Sequence, residues 1–229
     1  MKLACLFSGG KDSTYAIHLA KKQGHDVVCL LSIFPKSEES HLLHHPNLRW
    51  TKLQSESMNI PQLTIISNSN ETSDELIVME KLLQNAKEQF QIDGLVHGGI
   101  KSKFQKEKFE TLCLKLNLVS IAPLWGTDPK EYMNQLLDSN FHFMMITVSS
   151  DGLDEQWLGK LISKSDIEVL NNLSDKFGFN LNFEGGESET FVINCPLFSY
   201  PIKINKFTKN WDGYRGRFEI VDAELNYNA

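Results

Sequence analysis

Apolar runs and helical stripes alternate through most of the chain. LACLF near the N-terminus is followed by a helical pattern over 14–23, then VVCLLSI, a second helical pattern over 48–58, and LTIIS. Short runs rich in β-branched residues read as strands and the 3.6-residue repeats between them as helices, which gives the order βαβαβ. Leu76, Met79, Leu83, Ala86 and Phe90 recur at spacings that place them on one helical face, and the short run GLVHGG follows. Phe109, Leu112, Cys113 and Leu116 mark a further helix, SIAPLW a further strand, Met133, Leu136 and Leu137 another helix, and HFMMITV another strand. Alternation on this scale predicts an α/β protein built on a doubly wound parallel sheet.

Beyond Val148 the pattern changes. SSDG reads as a loop, helical stretches are expected over 157–162 and 167–177, and after the Gly- and Glu-rich FEGGESET the runs FVINC and RFEIVDAEL read as strands. The expected organisation is a nucleotide-binding domain over 1–150 and a smaller α+β lobe over 151–229, packed together, since no repeat, low-complexity tract or flexible linker separates them.

Composition narrows the classes. A chain of 229 residues that is 41% hydrophobic can bury one good core or a core plus a small second lobe. A net charge of -6 argues against an electrostatic grip on nucleic acid, which needs clustered Lys and Arg. The aromatic and basic residues Phe207, Trp211, Tyr214, Arg215 and Arg217 therefore read as a packed hairpin, and no nucleic-acid partner is expected. Cys5, Cys29, Cys113 and Cys195 are widely spaced and mostly inside apolar runs, the pattern of reduced, buried thiols. With no signal-like or membrane-spanning run, the expectation is a cytoplasmic protein with no membrane partner.

Two motifs carry candidate chemistry. SGGKDS, residues 8–13, closes the first strand, and in an open α/β sheet ligands gather beyond the carboxyl ends of strands. Gly9 and Gly10 let backbone approach phosphate oxygens, Ser8 and Ser13 supply hydroxyls and Lys11 a cation, while the following helix presents unpaired amides. The plainer alternative is a Gly-Gly turn with Asp12 as a first-turn acid and Lys11 solvated. The motif is neither a Walker A loop nor a dinucleotide fingerprint. Gly98 and Gly99, ending another strand after His97, leave room for ribose or adenine, with Ser32 on the other flank; a tight turn is the alternative.

EGGESET crowds Glu184, Glu187 and Glu189 around Gly185 and Gly186, a charge density that suits a cationic ligand and, more plainly, a solvated acidic loop. One of these carboxylates could serve as a general base. HLLHH, from His41, has no Cys or carboxylate cluster to complete a transition-metal site.

SGGKDS resembles the signature of the ATP pyrophosphatases of the adenine nucleotide α-hydrolase superfamily, which cleave ATP between its α- and β-phosphates. Within it, nearly the whole chain resembles the diphthine-ammonia ligase family, on SGGKDS, HHPN from His44, HGGIKSKFQKEKFETLCLKLNL from His97, APLW, GLDEQWLGK and EGGESET followed by CPLF. Where that family commonly has an aromatic-Gln-x-x-Arg stretch this chain has Phe104, Gln105 and Lys108, and where it reads EGGEFET this chain has Ser188.

The resemblance implies an AMP-forming amide ligase that uses ATP and Mg2+ to activate the carboxylate of diphthine, a modified histidine on translation elongation factor 2, for attack by ammonia. It implies nucleotide contacts at Ser8, Gly9, Gly10, Lys11, Asp12, Ser13, Ser32, His44, Gly98, Gly99, Gln105 and Lys108, with Asp12 as the magnesium ligand. It further implies catalytic roles for Asp12, Glu187 and Glu189, and substrate contacts at Glu184, Gly185, Gly186, Glu187, Glu189 and Thr190. The trimethylammonium group of diphthine would suit the acidic cluster together with an aromatic ring from Trp125, Trp157 or Trp211. Elongation factor 2 and ammonium are the implied partners, and a homodimer stays open. The alternatives are an ATP pyrophosphatase-type ligase acting on another carboxylate or a tRNA base, and an adenine-nucleotide-binding protein without turnover. A phosphate end and a substrate end so divided predict that Glu187→Ala spares ATP binding.

Overall fold

The computed structural model describes residues 1–35, 47–67 and 72–228, and His44 lies outside them. The chain forms two compact units, one of Met1–Ser8 with Asp12–Trp125, the other of Gly9–Lys11 with Gly126–Ala229.

The first unit runs β1 (Lys2–Leu6), α1 (Lys11–Lys22), β2 (Asp26–Pro35), a 3-10 turn at Leu48–Trp50 leading into α2 (Thr51–Met58), β3 (Gln62–Ser67), α3 (Thr72–Phe90), β4 (Gly94–Val96), α4 (Lys103–Lys115) and β5 (Val119–Ile121). Its five strands are parallel in the order β3-β2-β1-β4-β5. This is the doubly wound sheet expected from the alternation. Strand order reverses between β1 and β4, so the ligand crevice of such a sheet belongs at the carboxyl ends of those two strands.

The helical stripes explain how the sheet is covered. Met79, Leu82, Leu83 and Ala86 of α3 and Phe109, Leu112 and Cys113 of α4 pack with Ala4, Cys29, Leu31, Ile33 and Leu95 of the strands. Each large apolar side chain so buried contributes about 1.5–3 kcal/mol. Ser102 caps α4 by accepting the Gln105 N–H at 3.4 Å, which fixes where that helix starts after β4.

The second unit contains α5 (Pro129–Asp138), β6 (His142–Met145), β7 (Thr147–Val148), α6 (Lys164–Phe177), β8 (Thr190–Asn194), β9 (Ile202–Trp211) and β10 (Gly216–Leu225). β6 pairs antiparallel with β8, and β7, β10 and β9 form an antiparallel sheet. Here two expectations need correcting. HFMMITV does not extend the parallel sheet: it divides at Ile146, whose N–H donates to the Glu189 carbonyl while its own carbonyl accepts from Phe218 N–H. A run apolar on both faces carries no information about the direction of its partner.

The helix expected over 157–162 is only a 3-10 turn at Glu155–Trp157, followed by extended backbone in which Leu158 bridges Met145 and Leu161 bridges Met144. Gly159 is the cause. It sits at φ +71°, and a Cβ there would meet the Phe218 ring at 2.4 Å. The helix over 167–177 is present as α6, with a Ser163–Asp166 capping box and Gly178 as its left-handed stop. The compact units divide after Trp125, whereas the change of pattern near residue 150 falls inside the second unit, because α5 packs on α6 and β6 on β8.

Candidate active site

In the first unit, β1 delivers Ser8 and α1 begins with Asp12 and Ser13 beside the reversal of strand order. Ser8 and Ser13 are bonded to each other, through the Ser8 N–H to Ser13 Oγ at 3.3 Å and hydroxyl to hydroxyl at 3.2 Å. Asp12 is half-buried in the first turn. Gly98, just beyond β4, is there for close packing: a Cβ would lie 2.6 Å from the Asp12 carbonyl carbon and 2.8 Å from the Ser13 nitrogen. The room at Gly98 is thus filled by the backbone of Asp12 and Ser13.

His97 supports this turn. It is 2% exposed, its Nδ1 accepts the Gly99 N–H at 3.2 Å, and its ring meets Phe109 edge-on at 4.8 Å. Burial, reinforced by the nearby Lys106 ammonium, lowers its pKa to about 4. The imidazole is neutral at physiological pH and an acceptor at Nδ1. Ser32 is buried and tied by its hydroxyl to the Phe7 carbonyl at 2.7 Å, while accepting from Gln62 Nε2 at 2.7 Å.

The middle of the motif belongs to the second unit. Gly9 holds φ +80°, a left-handed conformation that glycine adopts without strain, and its carbonyl accepts from Val192 N–H at 3.1 Å. The Lys11 N–H donates to Thr190 Oγ1 at 3.1 Å, and its ammonium, on a residue only 1% exposed, donates to the Asn182 carbonyl at 2.7 Å. The same ammonium lies 5.5 Å from the Phe183 ring and 5.9 Å from the Tyr132 ring. Lys11 therefore works as an internal anchor as well as a charge.

The acidic motif is bonded to that anchor through Thr190. Within it the side chains divide their work. Glu187 Oε1 accepts from the N–H and the Nδ2 of Asn180, both at 2.8 Å, while Glu187 Oε2 is buried with no hydrogen-bond partner. Ser188 donates to the Thr147 carbonyl at 2.7 Å, and the Glu189 N–H donates to Thr147 Oγ1 at 2.7 Å. Glu184 and Glu189 are half-buried, Gly185 and Gly186 exposed.

On α4, Gln105 is half-buried, whereas Lys108 is exposed with its ammonium 5.4 Å from the exposed Phe104 ring. Lys106 was not singled out by sequence, yet it is the base that acts on His97 and covers the Trp125 ring at 4.4 Å. Its position three residues before buried Phe109 on the helical stripe is the signal that marks it. Lys160 covers the ring of buried Trp157 at 4.7 Å, so of the candidates Trp125, Trp157 and Trp211 the first two already hold a lysine.

The four cysteines are free and buried, and burial pushes Cys29 and Cys195 to about 12. A cleft of about 590 Å3 on the first unit is lined by Phe34, Arg49, Lys52, Ser55, Glu56, Gln62 and Thr64, none of them in a motif. Among the described residues no group of three or more His, Cys, Asp or Glu is gathered for a metal ion, and no helix is long and apolar enough to cross a membrane.

The comparisons with known proteins cover both parts of the chain. A model of the diphthamide synthase N-terminal domain matches residues 1–120, and one of the diphthamide synthase C-terminal domain matches residues 128–225. A Rattus norvegicus protein named diphthine–ammonia ligase is 33% identical over 223 residues, covering 90% of this chain and 83% of that protein. The Homo sapiens protein of the same name is 32% identical with the same coverage. A Schizosaccharomyces pombe namesake is 29% identical over 216 residues, covering 86% of this chain and 35% of that longer protein. This chain belongs to the diphthamide synthase family.

Proposed function

We propose that this chain is an ATP-dependent ligase that amidates diphthine on translation elongation factor 2, working in the cytoplasm. One observation carries the reading beyond family membership: the phosphate motif and the acidic motif are joined by a direct hydrogen bond from Lys11 N–H to Thr190 Oγ1. A residue of the acidic motif thereby helps fix the loop that receives ATP.

In the reaction a carboxylate oxygen of diphthine attacks the α-phosphorus, and the bond to pyrophosphate breaks. The nitrogen of ammonia then attacks the acyl carbon and loses a proton, and the bond to AMP breaks. Such chemistry depends on alignment and on charge neutralisation more than on covalent help from the protein. Gly9 and Gly10 offer backbone, and Ser8 and Ser13 offer hydroxyls, to the phosphates. Asp12, in the first turn of α1, would hold Mg2+, which is commonly bound by one or two carboxylates with substrate phosphates and water. Bound there, Mg2+ supplies positive charge for the leaving pyrophosphate. At the other end Glu184, Glu187 and Glu189 attract the trimethylammonium group, and Glu189 or the free oxygen of Glu187 takes the proton from ammonia.

The test is incubation with ATP, ammonium and elongation factor 2 bearing diphthine. AMP, pyrophosphate and the mass change of acid-to-amide conversion are expected, and Asp12→Ala should abolish all three. ADP formation, or AMP that does not depend on diphthine, sinks the proposal and leaves another carboxylate or a nucleotide-binding role.

A further inference from the structure

Residues 180–187 close on themselves. The Glu187 carboxylate receives both Asn180 donors, the Phe183 N–H donates to the Asn180 carbonyl at 2.8 Å, and the Gly186 N–H to the Phe183 carbonyl at 3.3 Å. Glycine at 185 makes the closure feasible, because a Cβ there would lie 2.7 Å from Glu187 Oε1 and 3.0 Å from Asn180 Nδ2. The closed loop presents the Asn182 carbonyl and the Phe183 ring to the Lys11 ammonium. Phe183 is held at φ +61°, a conformation costing a bulky residue roughly 1–3 kcal/mol that persists only where its surroundings impose it.

We propose that Asn180 is a positioning residue for the nucleotide end of the reaction: through Glu187 Oε1 it sets the Asn182 carbonyl and the Phe183 ring around Lys11, and so holds Gly9–Lys11 in the conformation that receives phosphate. It rests on the reading above only in taking residues 8–13 as the ATP loop. Glu187 then serves both ends, Oε1 closing the loop and Oε2 left for the substrate. Removing Glu187 disturbs ATP binding too, contrary to a clean division into phosphate and substrate ends. Glu187→Gln keeps a carbonyl oxygen for the two Asn180 donors, removes the charge and puts an NH2 in place of Oε2.

The test is calorimetric titration of the full chain with Mg2+ and α,β-methylene ATP, without elongation factor, alongside thermal melts. Asn180→Ala should weaken binding about five- to tenfold, the ordinary scale of coupling between sites. Asn180→Asp, which sets a second carboxylate against Glu187, should weaken it further. Glu187→Ala should behave like Asn180→Ala, and Glu187→Gln should restore affinity to within about twofold of the parent. Affinity unchanged in both Asn180 variants, or equal in the two Glu187 variants, overturns the proposal. If an Asn180 variant shows no cooperative melt, the Glu187 pair decides alone. Shifted affinities without diphthine-dependent AMP would remove the ligase reading and keep the positioning role; normal ligation with unshifted affinities would do the reverse.

Discussion

SGGKDS and EGGESET each contain a glycine pair with one member in the left-handed region, Gly9 at φ +80° and Gly186 at φ +84°. Their surroundings differ. Around Gly9 the backbone is tied to Val192 and, two residues on, to Thr190, while the Lys11 ammonium bonds the Asn182 carbonyl. A Cβ on Gly186 would meet nothing within 4 Å. The first pair lies in backbone held by residues distant in sequence, whereas the second lies in a loop that carries Glu184, Glu187 and Glu189. The same dipeptide thus occupies two settings, and its partners decide which.

Gly9→Ala against Gly186→Ala tests that contrast most severely. Both substitutions strain the backbone by about 1–2 kcal/mol. Gly9→Ala, in the loop itself, should weaken ATP binding by about a hundredfold, near the upper end of coupling between sites, and Gly186→Ala, in the loop that braces Lys11, by no more than about fivefold, its lower end. Equal ATP affinity in the two variants would erase the distinction.

A gentler probe of the first motif's surroundings is the buried His97, which accepts from the Gly99 N–H at the turn beside it. His97 has a folded pKa of about 4 against an ordinary value of 6.5. Because the folded state prefers the neutral ring, its contribution is complete above pH 6.5 and is lost as pH falls toward 4, over a span of roughly 3 kcal/mol. Urea midpoints at pH 7, 5 and 4 should fall accordingly, and His97→Gln should flatten that acid limb.

The smallest effect is expected at α4. Lys108→Ala, at an exposed position, should change stability by less than about 0.5 kcal/mol. Lys106→Ala should raise the His97 pKa, as followed by NMR titration, because a neighbouring positive charge is removed.

Periodicity made α3 and α4 legible, since one face of each meets a sheet and its apolar residues recur every three or four positions. It gave the parallel order β1-α1-β2 for the same reason. HFMMITV and 157–162 were opaque because a doubly buried run and a glycine at positive φ both take their meaning from partners distant in sequence. At the candidate site, SGGKDS and EGGESET stand out by composition alone. Asn180 and Asn182 do not, because an asparagine in a loop looks solvated until Glu187 and Lys11 are seen to use it. Nor does any local signal turn the Lys11 ammonium inward.

Lys11 bonds to residues 171 and 179 positions further along the chain. Synthesis runs from the N-terminus, and contacts of such long sequence separation close late and slowly. Residues 1–125 can assemble their sheet while the first loop is still slack, and that loop acquires its final form only after β8 has emerged. The conformation of that loop is therefore completed by residues made long after its own.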